Sequence, residues 1–167
     1  IDDEEAVFGV LGAVAMQSVR LVSPEIAETV CVIGLGIIGQ LTVKILLANG
    51  CNVIAIDKNK DRLSLIDDDF VIKICSEKGI DFDSILNNYT NGNGVDSVVI
   101  ATATKSNQPL KDSINMVWKA MQVSEGGEIF VKKTPSMKIT EIAKAINPIA
   151  KFKIIGMVNI SMINIDH

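Results

Sequence analysis

The sequence is short of the residues from which most catalytic centres are assembled. It holds one histidine in 167 residues, the terminal His167. A single imidazole at a chain end that is expected to fray cannot build a Ser-His-Asp or Cys-His relay. Cysteine is scarce as well. Cys31, Cys51 and Cys75 lie in or beside apolar runs (TVCVIG, NGCNVIAI, VIKICS), and no C-x-x-C occurs. An odd, scattered set excludes a disulfide framework, and without C-x-x-C or histidine pairs no metal site is expected. The cysteines read as small buried hydrophobes of a reducing, cytoplasmic compartment.

Aromatic residues are only 4% and the net charge is −4, with no basic run. Nucleic-acid recognition needs clustered Lys/Arg and stacking rings, so no nucleic-acid partner is expected. Long apolar runs are missing too. Residues 6–16 are apolar but follow Asp2, Asp3, Glu4 and Glu5. They are too short for a membrane span of ~20 residues, and a signal peptide would open with positive charge. No membrane partner is expected. The chain starts with Ile1 rather than Met, and it is expected to be a piece of a longer protein.

What is present is a globular composition, 48% hydrophobic and 22% charged, enough for one domain with a sizeable core. Residues 3–21 read as one helix, with acids at its start and Arg20 near its end, matching the helix dipole. Its apolar residues cover most of its circumference, so burial on two sides is expected. Beyond Ser23-Pro24 the pattern alternates. Strands are predicted at 29–33, 52–56, 70–74, 97–101, 128–131 and 153–157, and helices at 37–48, 59–66, 81–89, 109–123 and 140–146. The fold class is therefore α/β: a doubly wound, parallel six-stranded sheet in the order 3-2-1-4-5-6, with helices on both faces. Residues 1–24 are expected to form a lead-in helix, and 25–167 the α/β domain.

Chemistry concentrates in VCVIGLGIIGQLTVKILLANGCNVIAID. Gly34, Gly36 and Gly39 spell G-x-G-x-x-G directly after a strand and at the opening of a helix. Gly34 permits the tight turn, Gly36 removes the Cβ that would block a pyrophosphate, and Gly39 allows close packing of helix on sheet. The helix offers unpaired N–H groups and the positive end of its dipole to the phosphates. Asp57 closes the second strand at about the 20-residue spacing of a ribose-binding acid. A 2′-phosphate beside it would set like charges together, at a cost of up to ~4 kcal/mol at ~4 Å and an effective dielectric of ~20. NAD is therefore expected over NADP. A G-x-x-x-x-G-K-[ST] nucleotide loop is missing.

With its flanks AVAMQSVRL, VDSVVIATAT and GGEIFV, this core resembles the coenzyme domain of the medium-chain dehydrogenases/reductases, the zinc alcohol and sorbitol dehydrogenase group. ATATKSNQPL is similar to a subset of zinc-type bacterial dehydrogenases that act on sugars or are fused to a second sugar-oxidoreductase domain. The resemblance implies an NAD-dependent alcohol or sugar oxidoreductase, whose catalytic domain would be a partner outside this chain. It implies that Ile37 and Ile38 cover the pyrophosphate, that Lys58 and Arg62 lie near the adenosine, and that Ala101, Thr102 and Ala103 line the adenine and nicotinamide sides. It also implies a homodimer through the sixth strand.

Departures from the family pattern set bounds. Aligning EEAVFGVLGAVAMQSVR by its paired acids and arginine puts Val10 where zinc-dependent members carry a Cys or Glu ligand. Valine has no donor atom, so no catalytic zinc is expected in this chain. Val131 is followed by Lys132-Lys133 in place of the family's glycine. The Tyr-x-x-x-Lys of short-chain dehydrogenases is missing, since Asn93 stands four places after Tyr89. No catalytic residue is identified, and the chain alone is expected to be inactive. Two other readings share the motif: a regulatory NAD-sensing Rossmann domain of a cation channel or transporter, and an adenosylmethionine-dependent methyltransferase. The helix before the first strand and the GGEIF strand favour the dehydrogenase.

Overall fold

In the computed structural model, which describes residues 2–77, 81–103, 108–109, 112–113, 116, 128–133 and 152–156, the β-branched run TVCVI becomes the inner strand β1 (Thr29–Ile33). It pairs in parallel with β2 (Asn52–Asp57) on one side and with β4 (Ser97–Ile100) on the other. β3 (Ile72–Cys75) lies outside β2, while β5 (Glu128–Lys133) and β6 (Phe152–Gly156) continue beyond β4, all in parallel register. The order is β3-β2-β1-β4-β5-β6. Between β1 and β4 the winding reverses, which opens a crevice at the strands' carboxyl ends.

Both faces of the sheet are covered, which is why its inner strands read as continuous apolar runs rather than alternating ones. On one face Cys31, Ile33, Ile54, Ile56, Ile74, Val98 and Ile100 pack with Leu86 of α5 (Phe82–Thr90), Val95 and Met116. On the other, Val30, Val32, Val53, Ala55 and Val99 meet three helices. These are α2 (Gly9–Val22) through Val19 and Val22, α3 (Ile37–Ala48) through Val43 and Leu46, and α4 (Lys60–Ser64) through Leu63. Gly50 turns the chain back after α3 at φ +81°, a left-handed conformation that glycine adopts at no steric cost.

Several boundaries differ from the sequence reading. The lead-in is two helices, α1 (Asp3–Ala6) and α2, separated at Val7–Phe8. Gly9, a poor helix former, stands at the restart. The expected two-sided burial is also corrected: only Ala15, Val19 and Val22 of α2 are buried, and Val7, Phe8, Val10 and Met16 are exposed. β3 begins two residues later than expected because Asp68 accepts the Phe70 N–H at 2.8 Å, forming a turn. α4 is shorter than 59–66, and β5 runs on through Lys133. The helix expected at 140–146, and most of that at 109–123, lie outside the described residues. No helix among the described residues is long and apolar enough to cross a membrane.

Candidate cofactor site

β1 ends at Ile33, and the three glycines then do different physical work. Gly34 sits at φ +95°, and a Cβ on it would lie 2.8 Å from the Thr102 backbone nitrogen. Its N–H donates to the Ile56 carbonyl at 2.8 Å, which fastens the loop to β2. A Cβ on Gly39 would run into the Gly34 carbonyl oxygen, with Ala101 Cβ a further neighbour at 3.7 Å. The third glycine is thus required chiefly by the loop it faces. Gly36 is the exception: nothing lies within 4 Å of a Cβ built on it.

Gly36 is also the N-cap of α3, in extended conformation (φ −66°, ψ −175°), with no side chain capping the helix. α3 is twelve residues long, so its first-turn N–H groups face the crevice with the full terminal dipole behind them. Ile37 and Ile38 occupy that turn, Ile37 being 56% exposed. An open space beside a bare N-terminus fits a pyrophosphate, because backbone N–H donors need no side chain to receive one.

Asp57 closes β2 and is 8% exposed. Its Oδ2 accepts the Leu35 N–H at 2.6 Å, and its Oδ1 accepts the Asn59 N–H at 2.8 Å. A carboxylate has about four acceptor positions, so roughly two remain for a diol. The Arg62 guanidinium stands 3.8 Å from Oδ2 and is half exposed. Lys58 is exposed on the same turn. The opposite wall comes from the residues after β4: the Ala101 N–H donates to the Ile33 carbonyl at 2.8 Å, Thr102 underlies Gly34, and Ala103 is exposed. All eleven residues singled out in the sequence therefore lie on three neighbouring segments, at the carboxyl ends of β1, β2 and β4.

Sequence reading missed two members of this arrangement. Leu35 is buried, and its backbone N–H holds the acid. Gln40 donates from Nε2 to the Arg62 carbonyl at 2.7 Å. Leu35 bears no signal in its side chain, since only its N–H acts. The one available hint for Gln40 was an amide among apolar residues in IIGQLTV.

Beyond the acid, at the end of β3, Lys60 and Glu77 form an ion pair at 2.5 Å. The hydrogen bond and charge of Lys60 hold the Glu77 carboxyl below its ordinary range, and Glu77 raises Lys60 in return. The Cys75 thiol is pushed up, first by burial and then by the Glu77 charge. Cys31 is pushed far up by burial alone. Among the described residues no three His, Cys, Asp or Glu side chains gather as a metal site, and Val10 is 71% exposed on α2.

Comparison with known proteins gives two kinds of result, one in fold and one in sequence. In fold, the chain is similar to 2R,3R-butanediol dehydrogenase from Bacillus subtilis (TM-score 0.70, 21% identity, covering 93% of this chain and 43% of that one). It is similar to an alcohol dehydrogenase from Thermus sp. ATN1 (TM-score 0.67, 23% identity, 92% and 43%) and to the CurK enoyl reductase (TM-score 0.69, 15% identity, 87% and 42%). The chain spans less than half the length of each. At these identities the likeness is one of fold alone, and it agrees with the parallel α/β fold expected from the sequence. Separately, residues 98–166 match a family model described as polysaccharide biosynthesis protein. A stretch of 48 residues is 46% identical to a UDP-N-acetylglucosamine 4,6-dehydratase (inverting) of Campylobacter jejuni, covering 29% of this chain and 14% of that protein.

Proposed function

We propose that the chain is the NAD(H)-binding domain of a medium-chain-type alcohol or sugar dehydrogenase. The observation that carries this reading is the pairing of an open, uncapped helix N-terminus at Gly36 with the Asp57 carboxylate at the adjoining strand end. Gly36 and the α3 N–H groups would receive the pyrophosphate, with Ile37 and Ile38 over it. Asp57 would accept both ribose hydroxyls, with Lys58 and Arg62 beside the adenosine. Ala101, Thr102 and Ala103 would shape the wall against the nicotinamide half. A bound nicotinamide supplies the hydride chemistry itself.

This chain's own residues orient the dinucleotide and choose between its two forms. Asp57 disfavours a 2′-phosphate by charge, so the preference is for NAD over NADP. Acid–base and substrate groups would belong to a catalytic domain outside the chain. In this reading residues 1–24 lead in from that domain, 25–167 form the cofactor domain, and β6 is the edge through which a second copy would pair. The enzyme would be cytoplasmic.

A second reading is favoured by the match over residues 98–166 and by the 48-residue stretch: a sugar-nucleotide-modifying enzyme in which the same glycine loop serves the cofactor. One set of melting measurements separates them, using NADH, NADPH, UDP-N-acetylglucosamine, ATP and adenosylmethionine. NADH at 100 times its dissociation constant should stabilise the protein by ~2.7 kcal/mol, with NADPH shifting it less. A shift with the UDP-sugar supports the second reading. A shift with adenosylmethionine alone overturns both. In Asp57→Asn the NAD/NADP preference should fall by about tenfold, the equivalent of ~1.4 kcal/mol; an unchanged preference removes the role given to the acid.

A further inference from the structure

The hydrogen bonds around Asp57 form a closed circuit that ribose binding alone does not call for. From Leu35, whose N–H meets Asp57 Oδ2, the path crosses the carboxylate to Oδ1 and the Asn59 N–H. Asn59 then caps α4: its Oδ1 accepts the Asp61 N–H at 2.7 Å and the Arg62 N–H at 3.4 Å. The Arg62 carbonyl accepts Gln40 Nε2 at 2.7 Å, and the same Nε2 reaches back to the Leu35 carbonyl at 3.4 Å. Gln40 is the one side chain in the circuit contributed by α3, and it is half-buried.

The circuit matters because α4 has only five residues. A helix of that length has no stability of its own and stays where its contacts hold it. The contacts that hold this one include the Asn59 cap, the Leu63 side chain in the core, the Lys60–Glu77 ion pair and Gln40. Of these, Gln40 ties it to the glycine loop. α4 carries Arg62, the cation facing the acid, and begins beside Asn59, whose N–H fixes the carboxylate's rotation. If α4 moves, both the direction of the two unused acceptor positions of Asp57 and the place of the guanidinium move with it.

We propose that Gln40 is a positioning residue that sets the discrimination between NAD and NADP. Its carboxamide locks α4 to the glycine loop, so that Asp57 presents a fixed pair of acceptors to a ribose diol and Arg62 stays on the acid rather than reaching toward a 2′-phosphate. This rests on the dinucleotide reading given above. Loss of the lock weakens the nucleotide that uses the diol and leaves the 2′-phosphorylated one little changed, because the acid that repels it is no longer held in place.

The test uses Gln40→Met, which keeps length and packing without a donor, and Gln40→Glu, which keeps shape but turns an acceptor toward two carbonyls. Dissociation constants for NADH and NADPH are measured by fluorescence titration of the full chain. In both variants NADH should bind about three- to tenfold more weakly, the worth of one net hydrogen bond, with NADPH changed less than about twofold, so the preference falls. In the ligand-free protein, the Leu63 amide should exchange faster while amides in the middle of α3 keep their rates. Equal weakening of both nucleotides, or an unchanged preference, overturns the proposal and leaves the cofactor reading standing. A wild-type chain that binds neither nucleotide overturns both.

Discussion

At the scale of single residues, three glycines that look equivalent in a motif have unequal structural reasons. Gly39 is excluded from bearing a Cβ by the Gly34 carbonyl, a backbone atom that cannot step aside. Gly36 has open space around it and a φ of −66°, which any residue adopts. Gly39→Ala should therefore destabilise the protein by about 1–3 kcal/mol or more, the range of overpacking. Gly36→Ala should change stability by less than about 1 kcal/mol, the modest N-cap difference between these residues. In the dinucleotide reading, Gly36→Ala should nonetheless lower NADH affinity by more than tenfold, since the new methyl would occupy the pyrophosphate's place. Urea denaturation beside an NADH titration checks both. Equal loss of stability in the two variants would show that Gly36 is needed for folding and not for a ligand.

At the scale of elements, the lead-in segment shows how much packing rather than composition decides. Read along the sequence, residues 3–21 are apolar nearly all round; in the fold, α2 buries one stripe of Ala15, Val19 and Val22. Val10→Ser, on the exposed side, should shift stability by no more than about 0.5 kcal/mol. Leu46→Ala, fully buried on α3, should cost about 2–5 kcal/mol. Denaturant midpoints compare them directly, and a large cost at Val10 would mean that its face is covered in solution. A second element-level contact is the ion pair from Lys60 on α4 to Glu77 after β3. Glu77 is lowered in the fold, so its contribution is present above its unfolded range and is lost as pH falls through the folded value. Lys60 is raised, so its contribution is lost only as pH rises through its folded value in the alkaline range. Both groups are exposed, and salt screens them. Glu77→Gln should melt slightly lower than wild type at neutral pH and low salt, with the gap closing in acid and in ~1 M salt. A gap that persists in high salt would point to packing instead of charge.

At the scale of the whole molecule, the crevice exists because the sheet winds outward in both directions from one pair of strands. β1 lies against both β2 and β4 and is buried on both faces. Its amides should be the most protected from hydrogen exchange among the described strands, at close to the global unfolding free energy. The edge strands β3 and β6, each paired on one side only, should open first. Faster exchange in β1 than in β3 would mean that the core is not where the burial pattern puts it.

The sequence alone determined the strand–helix alternation, because two-sided burial leaves continuous apolar runs such as TVCVI and NVIAI. It determined the glycine turn and its partner acid as well, because close backbone approach and a carboxylate at a strand end are properties of residue type and spacing. Only the tertiary structure decided where the lead-in helix breaks, which of its faces is buried, and where β3 starts. Those depend on which surfaces meet and which local hydrogen bonds compete, as at Asp68. It alone also brought Leu35 and Gln40 to Asp57 and α4. A backbone N–H has no letter in a sequence, and a contact between α3 and α4 forms only once β2 has carried the chain back beside the loop.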